Sequence, residues 1–293
     1  MKPLDPIRLV GIILALALSL GLSGCSAVKL GYNTLPEWLY WWLDGYADFS
    51  DQQEPLVRGE IARLHARHRR SELPRLVDDL QKMEQLAPQD ISPQQACAIV
   101  TDVQARLVAG ADLLGPDIGV VASSISDAQL RHMERKFRRS NDKFRRDFIA
   151  ASPADAQGKR YDQMLDRLEM IYGRLDEPQR AVLRDGVAQS AWDANRILAD
   201  RQRRQQDLLQ TLRRLGEAHV APEEARTQLR SWLERALHAP DLAYRAWQEG
   251  LVQEGCRLFS AVHHSTTAGQ REHAVRRLQA YQRDLRDLMA QAR

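Results

Sequence analysis

Three times along this 293-residue chain an aliphatic residue is followed by a short oxygen-bearing side chain and, three positions after that, by glutamine: Ile91-Ser92-Pro93-Gln94-Gln95, Ile125-Ser126-Asp127-Ala128-Gln129 and Leu175-Asp176-Glu177-Pro178-Gln179. The spacing is that of a capping box, in which the Ser or Asp oxygen accepts the amide of the third helical residue and the Gln side chain reaches back to the amide of the cap. Val220-Ala221-Pro222-Glu223-Glu224 is a degraded fourth, and Pro93 and Pro222 suit the first position of a helix. Between these starts, apolar residues recur at three and four positions and no stretch alternates convincingly over the length of a strand. The expected fold class is therefore all-α: an elongated multi-helix bundle of antiparallel helices with no sheet.

The amino-terminal stretch is of another kind. Lys2 and Arg8 supply a positive start, and the 14 residues Leu9 to Leu22 carry no charge. A bilayer-spanning helix needs about 20 such residues, so a secretory signal is the better reading and an uncleaved anchor the alternative. Leu22-Ser23-Gly24-Cys25 resembles the lipobox of bacterial lipoproteins at each of its positions. The resemblance implies that residues 1–24 are a signal peptide, that the chain is cut before Cys25, and that Cys25 is acylated on its thiol and on its new amino group. Two or more acyl chains make a stable anchor where one would be marginal. Ser26 and Ala27 follow in place of the Asp that retains such proteins at the inner membrane, which implies the periplasmic face of the outer membrane.

Removing Lys2, Arg8 and Asp5 from 42 basic and 39 acidic residues leaves 40 against 38, a near balance that speaks against a nucleic-acid partner. With Cys25 committed, Cys97 and Cys256 are the one pair left for a disulfide in an oxidising compartment; two separately buried thiols are the alternative. Residues 25–33 read as a tether, with Thr34 able to cap the first helix of a domain over 34–293. That helix carries Trp38, Trp41, Trp42, Tyr46 and Phe49. Packing in the core is expected, because Glu37, Asp44, Asp48 and Asp51 are acidic where a membrane-surface helix is normally basic; a seat among lipid headgroups is the competing reading. His65 and His68 share a helical face, yet the arginines around them disfavour a cation, and no metal site is expected. Pro74 should kink or restart the helix, and one long helix is expected from Pro178 to about His219.

After the lipobox, the most distinctive stretch follows Ser126. Lys136-Phe137-Arg138-Arg139 returns seven residues later as Lys143-Phe144-Arg145-Arg146, so that both phenylalanines fall on one face with Leu130, Met133 and Phe148. This is a seam for a partner helix. Its basic flank, Lys136, Arg138, Arg139, Lys143, Arg145 and Arg146, reads either as a solvated face or as an anion-binding surface for envelope lipids or acidic clients.

No catalytic set emerges, and no cofactor motif: there is no Gly-x-Ser-x-Gly elbow, His-Glu-x-x-His or glycine-rich phosphate loop. His263-His264 reads as a solvated pair at a helix end. The capping stretches are similar to the LTxxQ motif of the Spy-like periplasmic chaperones, which are all-helical and often cradle-shaped, although Ser or Asp stands where that family has Thr. The lipobox, Gly31-Tyr32-Asn33, Trp41-Trp42-Leu43-Asp44 and Tyr46 to Phe49 together resemble an uncharacterised family of Gram-negative lipoproteins, a resemblance that brings no activity with it. The expectation is a lipid-anchored envelope protein with a non-enzymatic binding or structural role. Its partners would be the membrane through Cys25 and anionic envelope lipids or protein clients. A Spy-like chaperone is the alternative, and an enzyme acting on envelope glycan or lipid the third reading.

Overall fold

In the computed structural model, which describes residues 24–111, 115, 117–218 and 220–291, eleven helices and no strand are present among the described residues. They are α1 (Gly24–Ala47), α2 (Glu54–Leu86), α3 (Pro93–Ala111), α4 (Asp117–Ser123), α5 (Asp127–Phe148), α6 (Pro153–Tyr172), α7 (Glu177–Gln189), α8 (Ala194–Ala218), α9 (Pro222–Leu237), α10 (Leu242–Ser265) and α11 (Ala268–Ala290). The fold is an all-α bundle. Residues 1–23 of the expected signal peptide, Leu22 and Ser23 among them, lie outside the described residues, and Gly24 is the first residue of α1.

The spine is α2, which runs unbroken through Pro74 for 33 residues, about 50 Å at 1.5 Å per residue. Helix α1 lies antiparallel along its first half, with Tyr32 beside His65 and His68 and Glu37 paired to Arg58 at 2.8 Å. Helix α11 lies antiparallel along its second half, where Gln279 and Gln282 both donate to Glu84. The two meet where Lys29 reaches Asp287 at 2.8 Å and Asp284 at 3.8 Å. Residues 25–33, expected as a tether, are therefore helical, and Lys29 and Tyr32 hold the segment to α11 and α2. Thr34 does not cap a start; its hydroxyl donates back to the Leu30 carbonyl at 2.9 Å.

Apolar core gathers at both ends of the spine. Around its start, Tyr40, Val57, Ile61 and Val121 form one cluster, and Ile125 from the turn after α4 forms its neighbour with Leu130 and Met133 of α5 and Leu209, Leu212 and Leu215 of α8. Around its end, Tyr172, Leu175, Leu183, Val187, Val262 and Leu278 join α6, α7, α10 and α11. A last cluster binds α3 to α10 through Ile91, Ala96 and Cys256, where Cys97 and Cys256 are bonded with their Cα atoms 5.4 Å apart.

Glutamines organise these ends. The boxes Ser126/Gln129 and Asp176/Gln179 are complete, as is Ser92/Gln95, whereas Ala221 offers no capping side chain. Two more occur at Ser50/Gln53 and Thr267/Gln270, the latter in what the sequence suggests is only a chain break. The boxes pair across helices: Gln129 donates to Gln53 at 2.7 Å, and Gln179 donates to Gln270 at 2.7 Å. Gln129, Gln179 and Gln270 thus each cap their own helix, Gln53 closes the turn ahead of α2, and the two pairs fasten one helix start to another. The single helix expected over 178–219 is two, because Ser190–Asp193 leaves the helix and Asp193 caps the next by accepting the amides of Asn195 and Arg196.

Candidate functional site

Helix α5 forms because its capping box fixes the start and its apolar side chains return on one face, which it lays against α8 and the end of α1. Met133 and Leu130 are buried there, Phe137 packs on the same cluster, and its ring lies 5.7 Å from that of Tyr46. Phe144 leans on Phe148 at 5.0 Å, and Phe148 on Trp192 at 5.5 Å. Asn141 and Gln205 exchange hydrogen bonds across the α5–α8 contact. The phenylalanine seam is therefore occupied by neighbouring helices and does not line an open apolar trough.

The opposite face is what α5 presents to solvent. Arg131, Arg135, Arg138, Arg139 and Arg146 recur at i, i+4, i+7, i+8 and i+15, all exposed, and none has a carboxylate within ion-pair distance among the described residues. Lys143 pairs within the helix with Asp147, and Arg145 with Asp142 at 2.7 Å; Lys136 is half-buried. Of the six basic residues singled out in the sequence, Arg138, Arg139 and Arg146 thus keep charge that is both exposed and unpaired. Arg131 and Arg135 belong with them, a membership their i, i+4 spacing already displays. Such a row can bind several phosphate or carboxylate groups at once, since each guanidinium offers a planar fork of donors.

Helix α1, against which α5 packs, has an unusual exterior. The side chains of Leu30, Trp38, Trp41 and Trp42 are 67%, 62%, 61% and 49% exposed. The expectation that the tryptophans are core is corrected: the helix has only one side against the body, which Tyr40 and Ala47 fill, and the tryptophans fall on the other. The three charged residues of α1 all engage the body: Lys29 with α11, Glu37 with Arg58, and Asp44 by accepting the Phe49 amide at 2.9 Å.

Two histidine arrangements were open to chemistry. His65 and His68 flank Tyr32, whose hydroxyl lies 3.0 Å from His68 Nδ1 and whose carbonyl accepts from His65 Nε2 at 3.0 Å; burial lowers both imidazole pKa values. They staple α1 to α2. His263, expected to be solvated, is fully buried. Its Nε2 donates to the Gln89 carbonyl at 2.6 Å, so its Nδ1 is the acceptor for the Tyr172 hydroxyl at 2.8 Å. Burial lowers the pKa of His263 and raises that of Tyr172, which keeps both neutral. His264 is the exposed member, 3.2 Å from Asp90. Among the described residues no group of three His, Cys, Asp or Glu is arranged to hold a metal ion.

Beside this pair, a cavity of about 440 Å³ opens between the α3–α10 and α6–α11 clusters, lined by Met83, Ile99, Val100, Val252, Phe259 and Leu278 among others. No carboxylate, imidazole or basic group forms part of its wall, which offers hydrocarbon surface and the Tyr172 ring.

A family described as being of unknown function, DUF6279, matches residues 45–236. No curated protein and no solved structure matches the chain.

Proposed function

The chain belongs to DUF6279, a family of unknown function, so its role has to be read from its own surface, and we propose that it is a lipid-anchored lipoprotein at the periplasmic face of the outer membrane with a non-enzymatic role in binding anionic envelope groups. The anchor reading is supported by Leu22-Ser23-Gly24-Cys25 after a short uncharged run. The binding reading is carried by one observation, the row of exposed, unpaired arginines at 131, 135, 138, 139 and 146 on α5. Uncompensated charge of one sign along a helix attracts anions, and each such residue near an anionic membrane contributes ~1 kcal/mol within a Debye length of ~8 Å. Packing of the phenylalanine seam favours this over a chaperone cradle, which would need that seam open.

Two measurements test the reading. Mass spectrometry of protein recovered from membranes should find an acylated Cys25 as the first residue; an unmodified terminus or cleavage elsewhere defeats the anchor. Vesicles containing phosphatidylglycerol should bind the protein more tightly than neutral ones at low salt, and Arg138→Gln, Arg139→Gln and Arg146→Gln together should abolish that preference. Equal binding of the variant and the unaltered protein would remove the arginine row from the account.

A further inference from the structure

Resting on the reading that Cys25 bears the acyl chains, we infer that the outer face of α1 lies along the bilayer surface, with Leu30, Trp38, Trp41 and Trp42 set among the lipid headgroups and the first methylenes beneath them. Cys25 stands in the first turn of α1. Ala27, Gly31, Thr34, Trp38, Trp41 and Gly45 then follow at steps of four and three, so they share one face over about five turns, with Leu30, Leu35 and Trp42 along its flanks. All of that face is apolar or small. Of ten exposed large apolar side chains among the described residues, five are on this helix.

Charge would oppose such a seat, and none of the three charged residues of α1 falls on this face. Lys29, Glu37 and Asp44, the acidic pair of which argues for core packing in the sequence, are each held by α11, by Arg58 or by the Phe49 amide. A helix that binds membrane by itself needs basic residues to attract it, but one that begins at an acylated cysteine is delivered there by its anchor. Tryptophan is the side chain that favours the boundary between headgroups and hydrocarbon, and Trp38 and Trp42 stack 6.5 Å apart on the same side. No described helix is long and apolar enough to cross a membrane, which fits a helix lying on the surface rather than passing through. A second copy of this chain is the other occupant a heptad face invites. Coiled-coil seams interlock aliphatic knobs, whereas here tryptophans alternate with glycine, alanine and threonine.

The acylated protein bound to neutral vesicles whose phosphatidylcholine carries bromine high on its acyl chains gives a direct readout, and high salt suppresses any contribution from α5. Bromine should quench a large share of the tryptophan emission of the unaltered protein. With Trp38→Ser, Trp41→Ser and Trp42→Ser combined, the remaining emission from Trp192, Trp232 and Trp247 should be unquenched, while thermal melting stays unchanged. Unquenched emission from the unaltered protein, or equal fractional quenching of the triple variant, overturns the inference. So does a dimer in detergent solution that the same three changes dissociate, since that assigns the face to a second copy. Failure of the anchor is distinguishable: an unacylated protein that still binds and is quenched leaves the α1 contact standing, and one that does neither sinks both.

Discussion

Gln179 is 1% exposed, and its amide hydrogens go to the Ser265 carbonyl and to Gln270, while its oxygen accepts the Asp176 amide. Replacing it by leucine removes all three hydrogen bonds at a buried position, so Gln179→Leu is expected to cost about 1–3 kcal/mol in a denaturant titration, more than loss of a surface cap. His263 makes a prediction in pH. Its folded pKa lies below the ordinary value of 6.5, because burial disfavours the charged ring. Above about pH 6.5 native and unfolded chains both hold it neutral, and its contribution is complete. As pH falls through 6.5 the unfolded chain takes up a proton that the native one resists, and stability drops. His65 and His68 act in the same sense. The melting temperature should therefore decline between pH 7.5 and 5.5, and His263→Gln should flatten part of that decline; a profile that stays level over this range would contradict the buried neutral imidazole.

Between elements, α4 lies close against the start of α9. A Cβ on Gly119 would come within 2.0 Å of the Pro222 carbonyl oxygen, which is backbone and cannot swing aside. Gly119→Ala should force the helices apart and cost about 1–3 kcal/mol, measured by chemical denaturation, although alanine is the better helix former. Helix α5 divides cleanly into two kinds of residue. Exposed Arg138, Arg139 and Arg146 should change melting by no more than about 0.5 kcal/mol when made glutamine. Phe137→Ala, which opens a half-buried gap beside Leu130 and Met133, should cost about 2–3 kcal/mol, short of the ~3–5 for a wholly buried ring. Equal sensitivity at both kinds of position would mean that α5 is not packed as described.

At the scale of the whole molecule, the Cys97–Cys256 bond closes a loop across 159 positions and holds α3, the helix that walls the apolar cavity, against α10. In the chain-entropy model a loop of this size stabilises the fold by about 5 kcal/mol. Thiol labelling in denaturant should find these two cysteines unreactive until a reductant is added, and reduction should lower the unfolding midpoint substantially. Free alkylation of both without reductant would show the bond to be absent. The body also has two ends, joined along α2. Disruption near Cys256 is expected to loosen the α3–α10 cluster before it reaches the arginine row at the far end.

The helical class, the capping boxes at Ser92, Ser126 and Asp176 and the two faces of α5 were legible in the chain, because hydrogen bonds three residues apart and the 3.6-residue period are local properties. Even there the reading stopped at Thr267, whose box looks like a break until Gln270 is found paired with Gln179. What the local pattern lacked was the identity of the partner surface. Trp38, Trp41 and Trp42 are apolar enough for a core, and only the position of α2 and α11 on one side of α1 decides that they face outward. His263 is polar enough for solvent, and only the arrival of Gln89 and Tyr172, distant in sequence, makes it a buried connector. Whether a side chain is inside depends on what the rest of the chain brings beside it. Composition states a preference for burial, but packing with residues remote in sequence determines which preferences can be met together.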